Sequence, residues 1–241
     1  MSGSGLMSGQ RAAKPHLVRG GGGLSGEVAD LRADIAREIG FLASFTVEEF
    51  IDPAAADPNG IKTSFASSDS AQQFLVADLD GLVGAGVMTP PRNITITTGA
   101  SGDIDAVDVV ITGFVLDANG KEIPQTDTIT LTADIGATDV GTQAFSRVTQ
   151  IDIPAQTGTG GTIEIGFGDV IGLSAPLVSR AGVEAVLMEI EAGTVLAADA
   201  ITGTFIDAAT AAPNGTYEPA TPADAANDYA IYYEYDPAVI T

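Results

Sequence analysis

The sequence offers few side chains that could act in catalysis. His16 is the only histidine, and cysteine is absent. A Ser-His-Asp triad needs a histidine that the fold holds in place, and most zinc sites use histidine or cysteine ligands. We therefore expect a protein that is not an enzyme, with no catalytic residue, no metal site and no cofactor.

Carboxylates are the remaining groups with metal-binding chemistry. Asp103, Asp105 and Asp108 could bind Ca²⁺, because this hard cation takes several oxygen ligands. Their spacing does not match a calcium-binding loop. In a chain with 32 acidic residues, a solvated acidic loop is the favoured interpretation.

The tyrosines cluster near the C-terminal end of the sequence: Tyr217, Tyr229, Tyr232, Tyr233 and Tyr235. Aromatic rings on one face could bind carbohydrate. However, the stretch from Tyr229 to Tyr235 reads as a strand that places Ile231 and Tyr233 on the same face. This alternation favours packing in a core or an interface.

The overall charge restricts the partners. The formal net charge is -22 and the pI is about 4.1, so the surface should repel polyanions. We predict no nucleic-acid partner and no membrane partner, and instead a neutral or basic protein surface. No apolar run approaches the roughly 20 residues of a membrane span, and no signal peptide is recognisable. We expect a soluble protein made in the cytoplasm.

These few candidate groups must be positioned by a β-rich fold. Residues 90–241 contain short apolar runs separated by Gly, Asn and Asp, as in an antiparallel β-sandwich of Ig-like or jelly-roll-like type. Asn119-Gly120 predicts a tight hairpin. The apolar spacing shifts phase between Phe145 and Val148, which predicts a bulge. Residues 183–190 and 195–206 read as a strand pair around Gly193.

Residues 25–89 are predicted to combine one short α-helix with a mixed linker or small β region. Ser25 can cap a helix over residues 26–43, and its apolar stripe consists of Val28, Leu31, Ile35, Ile39 and Leu42. The stripe could pack on the β domain or form a seam between copies in an oligomer. Beyond the helix we expect Phe50 and Ile51 to be buried and residues 57–60 to form a turn.

Residues 1–24 are predicted to form a flexible, extended basic arm. The segment is rich in Gly and Ser, carries Arg11, Lys14 and Arg19, and has no acidic residue. Glycine loses much backbone entropy on ordering, so the arm is either a flexible tail or a segment that orders on an acidic partner. Together with the helix stripe, the basic residues are our candidate contacts with a partner protein or with other copies of the chain.

Several short motifs occur in an order that resembles a family of tailed-bacteriophage virion proteins, over residues 50–237. The motifs are Asp57-Pro58-Asn59-Gly60-Ile61-Lys62-Thr63, Pro90-Pro91-Arg92-Asn93-Ile94-Thr95, Ile111-Thr112-Gly113 with Asn119-Gly120, Gly141-Thr142-Gln143-Ala144-Phe145, Gly166-Phe167-Gly168-Asp169 with Gly172-Leu173, Pro213-Asn214-Gly215-Thr216-Tyr217 and Tyr229-Ala230-Ile231-Tyr232-Tyr233-Glu234-Tyr235.

This resemblance implies a non-enzymatic structural protein of the virion, of the head decoration (cement) type. Such proteins sit as oligomers, commonly trimers, on the outside of the capsid lattice and stabilise it. The expected partners are the major capsid protein or other virion proteins and further copies of the chain, and the expected location is the capsid surface. A head-fibre base, tail or neck protein is one alternative. A carbohydrate-binding or adhesive β-sandwich is another.

Overall fold

A computed structural model describes residues 45–99, 103–177, 186–191, 194–195, 204–206, 214–219, 221–225 and 228–234. These ranges form a mainly β structure of antiparallel sheets, as the sequence predicts. The only helical element within them is one 3-10 turn, Val76–Asp78. The predicted arm (residues 1–24) and the predicted α-helix (residues 26–43) lie outside the described residues.

The strands form three sheets. The strands in chain order are β1 Phe45–Phe50, β2 Asp57–Ala66, β3 Gln72–Leu75, β4 Arg92–Thr98, β5 Asp108–Leu116, β6 Glu122–Thr130, β7 Thr138–Phe145, β8 Arg147–Ile153, β9 Thr162–Gly172, β10 Val186–Glu191, β11 Thr194–Val195, β12 Thr204–Ile206, β13 Thr216–Glu218 and β14 Tyr229–Glu234. Sheet I has the order β12-β13-β9-β4-β7, with β2 also paired to β9. Sheet II has the order β3-β8-β5-β6, and sheet III the order β1-β14-β10-β11.

Sheets I and II share one hydrophobic core, which confirms the predicted sandwich. In β5, Val109, Ile111, Gly113 and Val115 are buried while the residues between them are more exposed. Ile94 and Ile96 of β4 belong to the same buried cluster. Because successive side chains of a strand point to opposite faces, this alternation gives each sheet one apolar face.

A second, smaller core lies under sheet III. It contains Tyr229, Ile231 and Tyr233 of β14 together with Ile171 at the end of β9 and Tyr217 of β13. Strand β14 pairs with both β1 and β10. The prediction that the aromatic C-terminal strand is tied into a sheet is therefore confirmed.

The hairpins follow local turn chemistry. Gly120 has φ +71° in the turn between β5 and β6, and the amide of Asp117 donates to the carbonyl of Lys121. Strands β10 and β11 pair with Glu191 opposite Thr194, as predicted for residues 183–190 and the start of residues 195–206. Residues 204–206, which were predicted in the same second strand, instead form β12, which pairs with β13 in sheet I.

The phase shift near Phe145 reflects a change of sheet, and a bulge lies just beyond the predicted place. In β8, Val148 is opposite Gly113 and Gln150 is opposite Thr112, so Thr149 is the extra residue. Strand β7 lies in sheet I and β8 in sheet II, and the chain changes sheets at Ser146. The amide and hydroxyl of Ser146 both donate to the carbonyl of Phe114, at 2.7 and 3.0 Å. A corner of this kind joins the two layers of the sandwich.

Three further features differ from the sequence-based expectations. Asp57-Pro58-Asn59-Gly60 is not an isolated turn but the irregular start of β2, whose register with β9 shifts after Asp57. Ile51 is exposed (69%), whereas Phe50 is buried as expected. Finally, β2 and β3 pair with β9 and β8, so the sandwich also draws on residues before Pro90.

Candidate functional site

The most prominent exposed apolar segment joins the 3-10 turn to β4. We call residues 79–91 the apolar loop, since Asp80 is their only charged member. Leu82 is 88% exposed and Val87 is 65% exposed. Leu75 and Val76, just before the loop, are 48% and 53% exposed. Exposed apolar side chains that are grouped in this way are typical of a protein-binding surface.

The backbone of the apolar loop is held against the edge of β2. The amide of Gly81 donates to the carbonyl of Ile61 at 3.0 Å, and the amides of Val83 and Gly84 donate to that of Gly60 at 2.8 and 3.0 Å. A Cβ on Gly81 would lie 2.4 Å from the backbone of Gly60. The close approach therefore requires glycine, and the loop shields β2 from edge-to-edge pairing.

Asp80 is the polar link between the loop and β2. Its carboxylate accepts hydrogen bonds from Lys62 Nζ at 2.8 Å, the Thr63 amide at 3.0 Å and the Thr63 hydroxyl at 2.9 Å. The hydrogen bond from Lys62, followed by those from Thr63, lowers the pKa of Asp80 from 3.8 to about 2. The loop is thus presented in one conformation, which reduces the entropy cost of binding.

A pocket of about 250 Å³ lies beside the loop, lined by Ala54, Val83, Val87, Met88, Thr89, Pro90, Arg92 and Phe167. Arg92 is 2% exposed. Its Nε donates to the carbonyl of Gly168 at 2.8 Å and its Nη1 to that of Ala54 at 2.9 Å. Burial lowers the pKa of Arg92, and the charge of Asp169 opposes this effect. Arg92 thus ties β4 to β9 and to the segment after β1.

A wider groove of about 390 Å³ lies on sheet I next to Phe167. The hydroxyls of Thr97 and Thr138 lie 3.0 Å apart in it. Its charged lining residues are Asp169 and Glu218, both acidic. The groove therefore offers hydroxyls and negative charge, and no cation among its lining residues.

A buried acid lies in the second core. Glu48 is 8% exposed and accepts hydrogen bonds from the hydroxyl of Tyr233 at 2.7 Å and from the amide of Ser174. Burial raises the pKa of Glu48, and these hydrogen bonds offset only part of the shift. Burial, and then the charge of Glu48, raises the pKa of Tyr233.

The aspartates considered for Ca²⁺ each have a hydrogen-bonding role. Asp103 accepts from the amide of Gly160 at 2.8 Å, Asp105 from the hydroxyl of Thr157 at 2.6 Å, and Asp108 from the hydroxyl of Thr130 at 2.6 Å. The described residues contain no group of three or more acidic or histidine side chains that could hold a metal ion.

The structure buries three of the five clustered tyrosines. Tyr217, Tyr229 and Tyr233 are 0–1% exposed, so their rings fill the second core and offer no platform to a sugar. The favoured interpretation of core packing is therefore confirmed for these three. Tyr235 lies outside the described residues, as do all the predicted contact residues: Arg11, Lys14, Arg19, Val28, Leu31, Ile35, Ile39 and Leu42.

Sequence reasoning missed the apolar loop and the groove. The loop did carry a signal, because its apolar residues alternate with glycines and follow neither a strand nor a helix period. The groove carried no such signal, since its residues come from separate strands.

No protein family, curated protein or solved structure matches the sequence. Within the described ranges, no helix is long and apolar enough to cross a membrane.

Proposed function

We propose that this chain is a non-enzymatic structural protein of a tailed-bacteriophage particle, a decoration protein that binds the outside of the capsid lattice. The observation that carries the proposal is the exposed and firmly held apolar loop. The resemblance of the ordered motifs to phage virion proteins suggests the phage particle, and the antiparallel sandwich is compatible with a virion protein.

The loop can provide the contact energy. Full burial of an aliphatic side chain such as Leu82 or Val87 contributes about 1.5–3 kcal/mol. A few such side chains give a weak interface, but an oligomer that presents several loops binds with far higher avidity. We therefore propose a homo-oligomer, with a trimer favoured, whose loops contact the major capsid protein together.

The charge of the chain suits dense display on a surface. A net charge of -22 makes neighbouring copies repel wherever no specific contact holds them, which keeps the protein soluble. It also restricts the capsid surface to a neutral or basic one.

The test is binding to undecorated capsids of the phage. Purified protein is incubated with the shells, co-sedimented and imaged by electron microscopy. We expect regular density at lattice points for the wild type and a loss of binding for Leu82→Asp. Ile135→Asp is the matched control, because Ile135 is 61% exposed in the turn between β6 and β7; it should bind like the wild type.

Other outcomes would redirect or reject the proposal. Immunolabelling of the tail or neck in intact virions would replace the capsid site by the head-fibre, tail or neck alternative. Binding to a glycan array together with no binding to shells would favour an adhesive module. Equal binding by Leu82→Asp and the wild type would remove the loop as the contact surface.

A further inference from the structure

The groove on sheet I holds polar groups that the described chain leaves unused. Asn93 lines the groove and is 1% exposed. Its Oδ1 accepts from the amide of Val170 at 3.2 Å, while its Nδ2 has no hydrogen-bond partner among the described residues. The Nδ2 atom is not one of the buried side-chain atoms without a partner, which among the described residues belong to Gln72, Asn214 and Thr216. It is therefore open to the groove and can donate to a hydrogen-bond acceptor of a ligand.

The shape of the groove suits an extended peptide. Gly168 lies along it, and a Cβ at this position would come within 2.8 Å of Asn93 Oδ1 and 3.0 Å of the Thr95 methyl. The glycine therefore leaves little bulk beside Asn93, and a backbone carbonyl of a peptide could accept from its Nδ2. The exposed Glu218 adds negative charge, whereas Asp169, with a side chain 25% exposed, already pairs with Nη2 of Arg92 at 3.4 Å.

One segment of this same chain has the complementary chemistry. Residues 1–24 contain Arg11, Lys14 and Arg19 and no acidic residue, although the chain as a whole has 32 acidic and 10 basic residues. Their many glycines and serines have little side-chain bulk. Basic side chains can pair with Glu218, and the backbone can bond to Asn93.

We infer that residues 1–24 of one copy bind in the sheet I groove of a second copy. Twenty residues lie between this segment and β1, which begins at Phe45. An extended chain of that length spans up to about 70 Å, which is enough to reach a neighbouring molecule. The contact links copies of the chain to one another and does not depend on binding to a capsid, so it goes beyond the proposed function.

Charge reversal on both sides tests the inference in the full-length chain. One variant carries Arg11→Glu, Lys14→Glu and Arg19→Glu, and the other carries Glu218→Lys. Each alone should weaken self-association at least about tenfold, as measured by light scattering over a concentration series. An equimolar mixture of the two should restore association between unlike copies, because the arm of each variant then meets a groove of opposite charge on the other variant.

The mixture separates an exchanged arm from one that folds back on its own molecule. If only a single chain that carries all four substitutions recovers association, the arm acts within one molecule and the inference is wrong. It is also wrong if neither combination recovers, or if the wild type is a monomer. Asp69→Lys makes the same charge change at an exposed residue outside the groove and should leave association unchanged.

Cross-linking gives a second, independent measurement. Carbodiimide joins a lysine amine to a carboxylate that it contacts, so we expect a bond between Lys14 and Glu218 or Asp169 in the wild-type oligomer. Equal amounts of ¹⁴N- and ¹⁵N-labelled protein are mixed before cross-linking. A link between two copies then yields cross-linked peptide pairs in which one peptide carries ¹⁴N and the other carries ¹⁵N. If every cross-linked pair consists of two peptides with the same isotope, the arm does not bind to a second copy and the inference is wrong.

Discussion

The hydroxyl of Tyr233 on β14 lies 2.7 Å from Oε1 of Glu48 on β1. The two strands pair with Glu48 opposite Ile231, so Glu48 and Tyr233 form a diagonal cross-strand pair. The same hydroxyl accepts from the amide of Ala175 at 3.1 Å. The pair therefore joins sheet III to the segment that follows β9, within the second core.

Removal of the phenol hydroxyl should destabilise the protein. In Tyr233→Phe, the buried Glu48 loses a donor and the amide of Ala175 loses its acceptor. We expect the free energy of unfolding to fall by about 1–3 kcal/mol, measured by urea denaturation. Tyr229→Phe is the comparison, since that hydroxyl donates to a neutral carbonyl, Pro222, at 3.1 Å. A smaller effect for Tyr233→Phe than for Tyr229→Phe would contradict the assigned role.

Glu48 should also impose a pH dependence on stability. Burial raises its pKa above 4.5, so the folded state binds the proton more tightly than the unfolded state does. The stabilising contribution is complete below pH 4.5 and is lost as the pH rises through the folded pKa. Relative to Glu48→Gln, the wild type should therefore be more stable at pH 4 than at pH 8. A difference between the two proteins that stays constant across this range would show that no such shift exists.

Local sequence patterns predicted the strands but not how the strands combine. Alternation at Val109 and Ile111, and the tolerance of Asn119-Gly120 for positive φ, depend on neighbours in sequence. The change of sheet at Ser146 depends on the carbonyl of Phe114, 32 residues away, and no local pattern encodes it. In the same way, the residue types of Asp57–Gly60 favour a turn, yet the segment packs against β9 and forms part of a strand.

The functional surfaces were harder to predict because they, too, depend on residues that are far apart in the sequence. The groove takes its residues from five separate stretches of sequence, namely the start of β2 and the strands β4, β7, β9 and β13. Ile51 looked like a core residue because it follows the apolar end of β1, but the strand ends at Phe50 and Ile51 is exposed. Hydrophobicity alone does not tell a buried residue from one that faces a partner.

Asp127 should protect one edge of sheet I. Asp127 is 8% exposed and lies on β6, and its Oδ2 accepts from the amides of Thr142 and Gln143 on β7 at 2.8 and 3.1 Å. Asp127→Ala leaves these edge amides unpaired, and we expect a loss of about 1.5–3 kcal/mol together with faster aggregation. Urea denaturation and light scattering measure the two effects. Asp108→Ala, which removes an exposed bond to Thr130, should change neither one much.

Gly166 should tolerate no side chain. A Cβ there would lie 1.8 Å from the carbonyl oxygen of Asp57, so β2 and β9 would have to separate. We expect Gly166→Ala to cost more than about 3 kcal/mol or to prevent folding. Gly136→Ala is the control. Gly136 has φ +75° and open space around it, so the alanine there should cost only the backbone strain of about 1–2 kcal/mol. Equal soluble yields and equal urea midpoints for both variants would contradict the close strand contact.

Asp80 should keep the apolar loop closed against β2. Its folded pKa of about 2 is below the unfolded value of 3.8, so its stabilising effect is present above pH 3.8 and is lost as the pH falls through about 2. At neutral pH, Asp80→Ala should speed amide hydrogen exchange at Gly81, Val83 and Gly84, whose amides donate to β2. Asp78→Ala removes a similar bond, to the amide of Leu75 at 3.0 Å, and should leave those three amides protected. If exchange in the loop is as slow in Asp80→Ala as in the wild type, the backbone bonds alone hold the loop, and Leu82 and Val87 keep their positions without the carboxylate.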